Sequence, residues 1–264
     1  MATPLPAHRA FDTLDVTFAD GVVGVTLNRP DKLNAISLRM AEELGVVAKE
    51  YGWHPDARVL VVSGSGRAFC AGFDVSTSEG DPSVRGNWLQ YGGFHAAFQA
   101  LAAAPVVRIA RLHGHVVGAG LLLAAACELR YGAPTTTLSV PELDMGIPFS
   151  LGGVSTMTRY LGVTRTADLV LTCRRMPAEE ALRGGFLTEV VEEDALDARV
   201  AEIARSIAAR PSSLLLATLV SLGEAARDLV PADTVDLATM QFASDDPEAA
   251  AVNAAYAKRF GRRD

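Results

Sequence analysis

Cysteine, aromatic residues and positive charge are all in short supply. The three cysteines, Cys70, Cys127 and Cys173, are odd in number and share no metal-ligand spacing, which points to free thiols in a reducing cytoplasm rather than a disulfide framework. Lysine and arginine total 24 against 31 acidic residues, for a net charge of −7. A nucleic-acid or anionic-membrane surface would repel such a chain. No long apolar run is present either: Val116 to Cys127 is the longest and is too short to span a bilayer. Met1 to Ala10 has no apolar core, so no signal peptide is expected, and no internal repeat or low-complexity linker divides the chain. His113 and His115 flank Gly114 without a third ligand at a suitable place, and Gly114, Gly118 and Gly120 miss the dinucleotide-binding spacing. No metal, flavin or nicotinamide is called for.

What remains is 264 residues that are 49% hydrophobic, enough for one large α/β core with a helical appendage. Phe11 to Phe18 and Val22 to Leu27 alternate like strands around the turn Ala19-Asp20-Gly21, predicting a hairpin. Ser37 can cap a helix running to about Tyr51, with Met40, Leu44 and Val47 on one face. Val59 to Val62 reads as a buried strand and Ser76 to Asn87 as a loop. The stripe Trp88, Leu89, Phe94, Phe98 and Leu101 has roughly helical spacing, and either walls a pocket or is simply core. Arg108 and Arg111, on an otherwise buried strand, should snorkel or pair with carboxylates, and Arg174-Arg175 should form an exposed turn. Beyond a short strand at 186–191 the chain reads as helices over 194–210, 212–229, 231–242 and 247–260, bounded by Pro211, Pro231 and Pro247. The expected division is a core over 1–192 and a helical part over 193–264.

The chemistry concentrates between Val106 and Gly153. Val106, Val107, Ile109 and Leu112 form an apolar strand ending at Gly114, and from Gly118 the pattern becomes a helix too apolar to face water. Small residues, Gly118, Ala119 and Gly120, occupy the junction. The first N–H groups of a helix have no intrahelical partner and carry the positive end of its dipole, so a substrate oxygen admitted there would find donors. The same small residues would equally serve close packing of helix on strand. Downstream, Thr137 to Val140 reads as a strand ending in Pro141-Glu142, with Asp144 two residues on. A carboxylate in such apolar surroundings tends to a raised pKa and can exchange protons near neutral pH. Upstream, the strand at 59–62 breaks at Ser63-Gly64-Ser65-Gly66 before Ala71-Gly72-Phe73-Asp74.

These segments together resemble the crotonase superfamily, the enoyl-CoA hydratases and isomerases. Leu27-Asn28-Arg29-Pro30 with Leu33-Asn34-Ala35, and Ala178 to Val191, extend the resemblance along most of the chain. It implies an α/β fold with a crotonase-like ββα spiral core and a C-terminal helical subdomain that builds a homotrimer or a dimer of trimers. It implies that Glu142 is the acid/base and that the N–H groups of Phe73 and Ala119 are oxyanion donors. Arg29, Lys32, Leu33, Ala35, Ala71, Asp74 and Val75 would contact CoA, which arrives as part of an acyl-CoA substrate and not as a cofactor. Arg29 and Lys32 beside Asn34 would meet a CoA phosphate. Tyr256, Lys258 and Arg259 fall near the family's C-terminal CoA contacts but one residue short, so no ligand is assigned there.

Two positions depart from the pattern. Family hydratases carry a second glutamate where this chain has Leu122, and a leucine neither orients water nor moves a proton. Phe149-Ser150 stands in place of the usual Pro-Gly. Family isomerases that move a double bond from the 3 to the 2 position manage with one glutamate, so 3-enoyl-CoA to 2-enoyl-CoA isomerisation is the expected reaction. Hydration by Glu142 alone comes second, a non-catalytic acyl-CoA binder third, and Asp144 is a reserve carboxylate.

Overall fold

The N-terminal hairpin forms because Asp20 and Gly21 both take positive φ, 50° and 77°, the conformation a tight two-residue turn demands. It joins β2 (Leu14–Ala19) to β3 (Val22–Leu27) in antiparallel register, Ala19 opposite Val22. A strand that patterning did not reveal, β1 (His8–Ala10), pairs antiparallel with β2. The computed structural model describes residues 4–74, 84–229 and 245–260. From β3 the sheet continues in parallel through β4 (Val59–Gly64), β5 (Val107–Leu112), β7 (Leu129–Gly132) and β10 (Glu189–Val190). A second, smaller sheet holds β6 (His115–Val117), β8 (Thr137–Ser139) and β9 (Arg175–Pro177) in the order β6-β8-β9.

Parallel strands covered on both faces must be apolar on both, and β4 obeys this. Leu60 and Val62 join the cluster that includes Met40, Leu44 and Val47 of α1 (Leu38–Glu50) and Leu101 of α2 (Val84–Ala103). Val59, pointing the other way, packs with Ile109 and Tyr131 against Leu196, Val200 and Ala204 of α6 (Glu193–Ala208). The first helix of the 193–264 segment therefore lies directly on the sheet. Ser37 caps α1 as expected, its hydroxyl accepting from the Met40 N–H at 3.2 Å.

Several expectations change. Helix α2 begins at Val84, so residues 84–87 are helical rather than loop. The rest of the expected loop, and the helix expected over 231–242, lie outside the described residues. Helix α4 (Gly153–Thr172) escaped the sequence reading because Gly162, at φ 73° and ψ 166°, breaks its periodicity midway. Arg175 opens β9 instead of a free turn, and Arg174 is tied to Asp168 at 2.6 Å and to Glu180. The strand expected over 186–191 contracts to β10, while Phe186 and Leu187 are buried in the core behind α5 (Ala178–Arg183). Arg108 and Arg111 do pair with carboxylates, Glu128 and Asp197 respectively. Helices α3 (Ala119–Ala125), α7 (Ser212–Leu229) and α8 (Pro247–Phe260) follow the sequence closely. Among the described residues no single helix is long and apolar enough to cross a membrane.

Candidate active site

Two one-residue parallel bridges, Ile36 with Phe73 and Cys70 with Val116, lay segments 33–36, 70–74 and 115–119 side by side. Ile36 donates to the Gly72 carbonyl at 2.8 Å and accepts from the Asp74 N–H at 3.0 Å. In a parallel bridge the opposed residue turns its own polar groups away, so the Phe73 N–H does not face Ile36. Gly72, at φ 96°, passes so close to the start of α3 that an added Cβ would lie 3.1 Å from the Val117 carbonyl oxygen and 3.8 Å from the Ala119 nitrogen. The backbones of Phe73 and Ala119 are thus neighbours, and neither N–H has a hydrogen-bond partner among the described residues. A side chain at Gly120 would strike Cys70, whose Cβ would be 2.7 Å away. That contact explains the small-residue run as close packing too. Burial pushes the Cys70 thiol up to about 12, which makes it an inert filler.

The carboxylate comes from the small sheet. The Ser139 carbonyl at the end of β8 accepts the Gly118 N–H at 3.0 Å, which fixes the chain entering Pro141 and Glu142 beside the start of α3. A 3-10 turn over Leu143–Met145 follows, closed by Gly146 at φ 71°. The Glu142 carboxylate occupies the space a Cβ on Gly118 would need, and Gly118 is at φ 49°, so glycine is required there twice over. Glu142 is only 8% exposed and its Oε2 has no hydrogen-bond partner. Burial raises its pKa from 4.5 to about 7, against a smaller opposing pull from its own backbone N–H. Asp144, by contrast, is exposed on the turn. Leu122, on α3, is buried and apolar.

Helix α8 packs onto this turn. Asn253 Nδ2 donates to the Met145 carbonyl at 2.9 Å, and Gly146 leaves no room for a side chain beside the Ala249 carbonyl. Tyr256, one turn beyond Asn253, has its pKa raised by burial and then by the charges of Glu142 and Asp144. The sequence reading left Tyr256 unassigned; its place beside Glu142 comes from α8 folding back across more than a hundred residues.

The loop expected to touch CoA borders the same ground. Lys32 is exposed on the 3-10 turn Pro30–Lys32, while Leu33 and Asn34 take left-handed φ of 49° and 57°. Ala71 donates to the Leu33 carbonyl at 3.0 Å. Arg29 is committed inward: one nitrogen meets Asp74 at 2.7 Å and another the Ala35 carbonyl at 2.6 Å. The Asp74 carboxylate is therefore turned into the protein, toward Arg29. Val75 lies outside the described residues. The stripe side chains Phe94 and Leu101 are core, with the Phe94 ring tilted against that of Phe73 at 4.4 Å between ring centres.

A polar cavity of about 290 Å³ opens elsewhere, lined by Ser63, Gly64, Gly66, Arg111, His113, Glu193 and Asp197. It contains neither Glu142 nor either free N–H, and Arg111 is paired with Asp197 at 2.7 Å. Arg111 also donates to His113 Nδ1, so Nε2 donates to the Gly66 carbonyl at 2.9 Å, and burial lowers the His113 pKa. This is a neutral, structural histidine. No metal-ligating cluster occurs among the described residues. The Glu142 carboxylate beside Gly118, and the Ala119 nitrogen beside Gly72, both border the start of α3.

A sequence profile of the family described as Enoyl-CoA hydratase/isomerase matches residues 17–246. A "Probable enoyl-CoA hydratase" of Mycobacterium leprae is 34% identical over 197 residues, covering 75% of this chain and 76% of its own. The human mitochondrial Delta(3,5)-Delta(2,4)-dienoyl-CoA isomerase is 30% identical over 231 residues, covering 82% of this chain and 70% of its own. Among solved structures, a putative enoyl-CoA hydratase from Thermobifida fusca in complex with CoA superposes with a TM-score of 0.76 at 29% identity, over 94% of this chain and 95% of its own. An enoyl-CoA hydratase/isomerase from Xanthobacter autotrophicus superposes with a TM-score of 0.84 over 96% and 95%, and at 24% identity it shows the shared fold. The chain has the crotonase fold and belongs to the enoyl-CoA hydratase/isomerase family of enzymes.

Proposed function

We propose that the protein isomerises 3-enoyl-CoA to 2-enoyl-CoA, with Glu142 carrying the proton and the N–H groups of Phe73 and Ala119 holding the thioester oxygen. The observation that carries this reading is the buried carboxylate of Glu142, unpartnered at Oε2 among the described residues, beside a helix on which Leu122 offers no second acid. With a pKa near 7 it is divided between base and acid at neutral pH, as a group that both takes and returns a proton must be. The carboxylate removes a proton from C2, and the electrons move onto the thioester oxygen as an enolate. The two N–H donors stabilise that charge, each worth roughly 3 kcal/mol of barrier. Protonated Glu142 then delivers the proton to C4, the double bond settles between C2 and C3, and the enzyme returns to its starting state.

Lys32, Leu33, Ala35, Ala71 and Val75 are proposed to line the CoA path, with Arg29 and Asp74 behind them; the CoA complex of the Thermobifida neighbour supports acyl-CoA as the ligand class. Hydration is the second reading, favoured by the hydratase names of the mycobacterial relatives. Incubation with 3-enoyl-CoA and 2-enoyl-CoA in deuterated water separates the two. Bond migration with carbon-bound deuterium, lost in Glu142→Gln, is expected. A 3-hydroxyacyl product as the main outcome would replace isomerase by hydratase, and binding without exchange would leave a non-catalytic binder.

A homotrimer or a dimer of trimers is proposed for the assembly, as the family resemblance implies; the exposed apolar Leu214, Leu216, Val220, Leu222 and Leu229 of α7 support self-association. Sedimentation velocity checks it: a species of one chain's mass, 27.8 kDa, at micromolar concentration would refute it.

A further inference from the structure

We propose that Arg29 and Asp74 form a positioning pair that aims the Phe73 N–H, an inference that rests on the oxyanion role given to Phe73 above. The direction of that N–H is set by the bridge to Ile36, which grips the residues on either side of Phe73, Gly72 and Asp74. One guanidinium closes this bridge from both strands. Arg29 Nη1 donates to the carbonyl of Ala35, the residue before Ile36, at 2.6 Å, and Nη2 meets the carboxylate of Asp74, the residue after Phe73, at 2.7 Å. The pair is shielded, with the Asp74 side chain 4% exposed and that of Arg29 19%. Few waters can replace either partner, so removing one disturbs the other.

The surrounding loop needs such a clamp. Leu33 and Asn34 both sit in the left-handed region, which non-glycine residues adopt only when neighbours hold them there. Asn34 supplies part of the hold, accepting from the Arg29 N–H at 2.9 Å and donating to the carbonyls of Ser65 and Ala68 at 2.8 and 2.9 Å. These bonds secure the front of the loop that ends in Phe73. Its far end is secured by Arg29 and Asp74. A cation placed to meet a CoA phosphate would be left facing outward; here its charge is already answered by Asp74.

The test compares Asp74→Asn, which keeps the shape and removes the charge, with Arg29→Ala and the double variant. Readouts are kcat and KM for the reacting enoyl-CoA, the Kd of CoA alone, and the absorbance of bound cinnamoyl-CoA, which shifts to the red when its carbonyl is polarised. A misaimed donor is expected to lower kcat by about 10- to 100-fold and to shrink the red shift. The Kd of CoA should stay within about threefold, and the double variant should lose little beyond the worse single, because both act on one interaction. Loss of CoA affinity in step with turnover would overturn the proposal in favour of direct phosphate contact, and unchanged kcat and red shift would overturn it outright. If the wild-type protein polarises cinnamoyl-CoA without isomerising 3-enoyl-CoA, only the isomerase reading falls and the red shift of the variants decides the pair. If the wild-type protein does not polarise it, the oxyanion reading and the pair fall together.

Discussion

Two glutamates of this chain are almost equally hidden from solvent and have opposite surroundings. Glu43, 2% exposed on α1, accepts from the N–H groups of Asp12 and Thr13 at 3.1 and 3.0 Å and from the Thr13 hydroxyl at 2.5 Å, and it meets Arg39 at 2.9 Å. Glu142, 8% exposed beside the start of α3, leaves Oε2 with no partner among the described residues. Burial alone therefore does not mark a site. A satisfied carboxylate staples the N-terminal segment 12–13 to α1, whereas an unsatisfied one is held at a cost that folding by itself would not retain, which makes it a candidate for chemistry. The second region is also where glycine is needed, at Gly118 because a Cβ would strike the Glu142 carboxylate, and at Gly72, at φ 96°, because a Cβ would lie 3.1 Å from the Val117 carbonyl oxygen.

Exchanging these two groups tests the contrast. The largest expected effect is on turnover: Glu142→Gln should lower kcat by about 10²- to 10⁴-fold, as loss of a general acid/base does, with CoA binding largely retained in calorimetry. Next in size is stability at the other site. Glu43→Ala strands two backbone N–H groups and the Thr13 hydroxyl and is expected to cost about 3 kcal/mol in urea unfolding, while turnover per folded molecule stays at the wild-type level. A loss of turnover in that variant at full folding would erase the distinction.

The last effect concerns pH. Because the folded pKa of Glu142, about 7, lies above its ordinary 4.5, the folded state holds this proton more tightly than the unfolded one. Wild-type stability should therefore fall as pH rises from 4.5 to about 7, with the penalty complete above that. Glu142→Gln should match the wild type in acid and exceed it by up to about 3 kcal/mol above neutral pH, as measured by denaturant midpoints across the range. An unchanged difference across pH would mean that Glu142 is not held in the raised state.

What could be read along the chain was whatever local chemistry dictates. Ser37 at the head of α1, the Asp20-Gly21 turn, and the proline-bounded helices α7 and α8 are each specified by residues within a few positions of one another, and all appear where expected. The order of motifs was enough for the fold and the family, since each strand and glycine turn keeps its own signature. Helix α4 was missed because Gly162 divides its pattern, and β9 because two arginines and a proline look like a turn until β8 offers them a partner.

The amino-acid sequence by itself determined the fold and the family, and set Glu142 close in sequence to a run of small residues. Only the tertiary structure decided that Glu142 lies against Gly118 with Oε2 unpartnered among the described residues, that Arg29 pairs with Asp74 forty-five residues away, and that α8 returns to the turn beyond Glu142. The reason is physical: propensity and patterning act over a few residues, whereas desolvation and ion pairing depend on what the folded chain brings alongside, which no local stretch of sequence encodes.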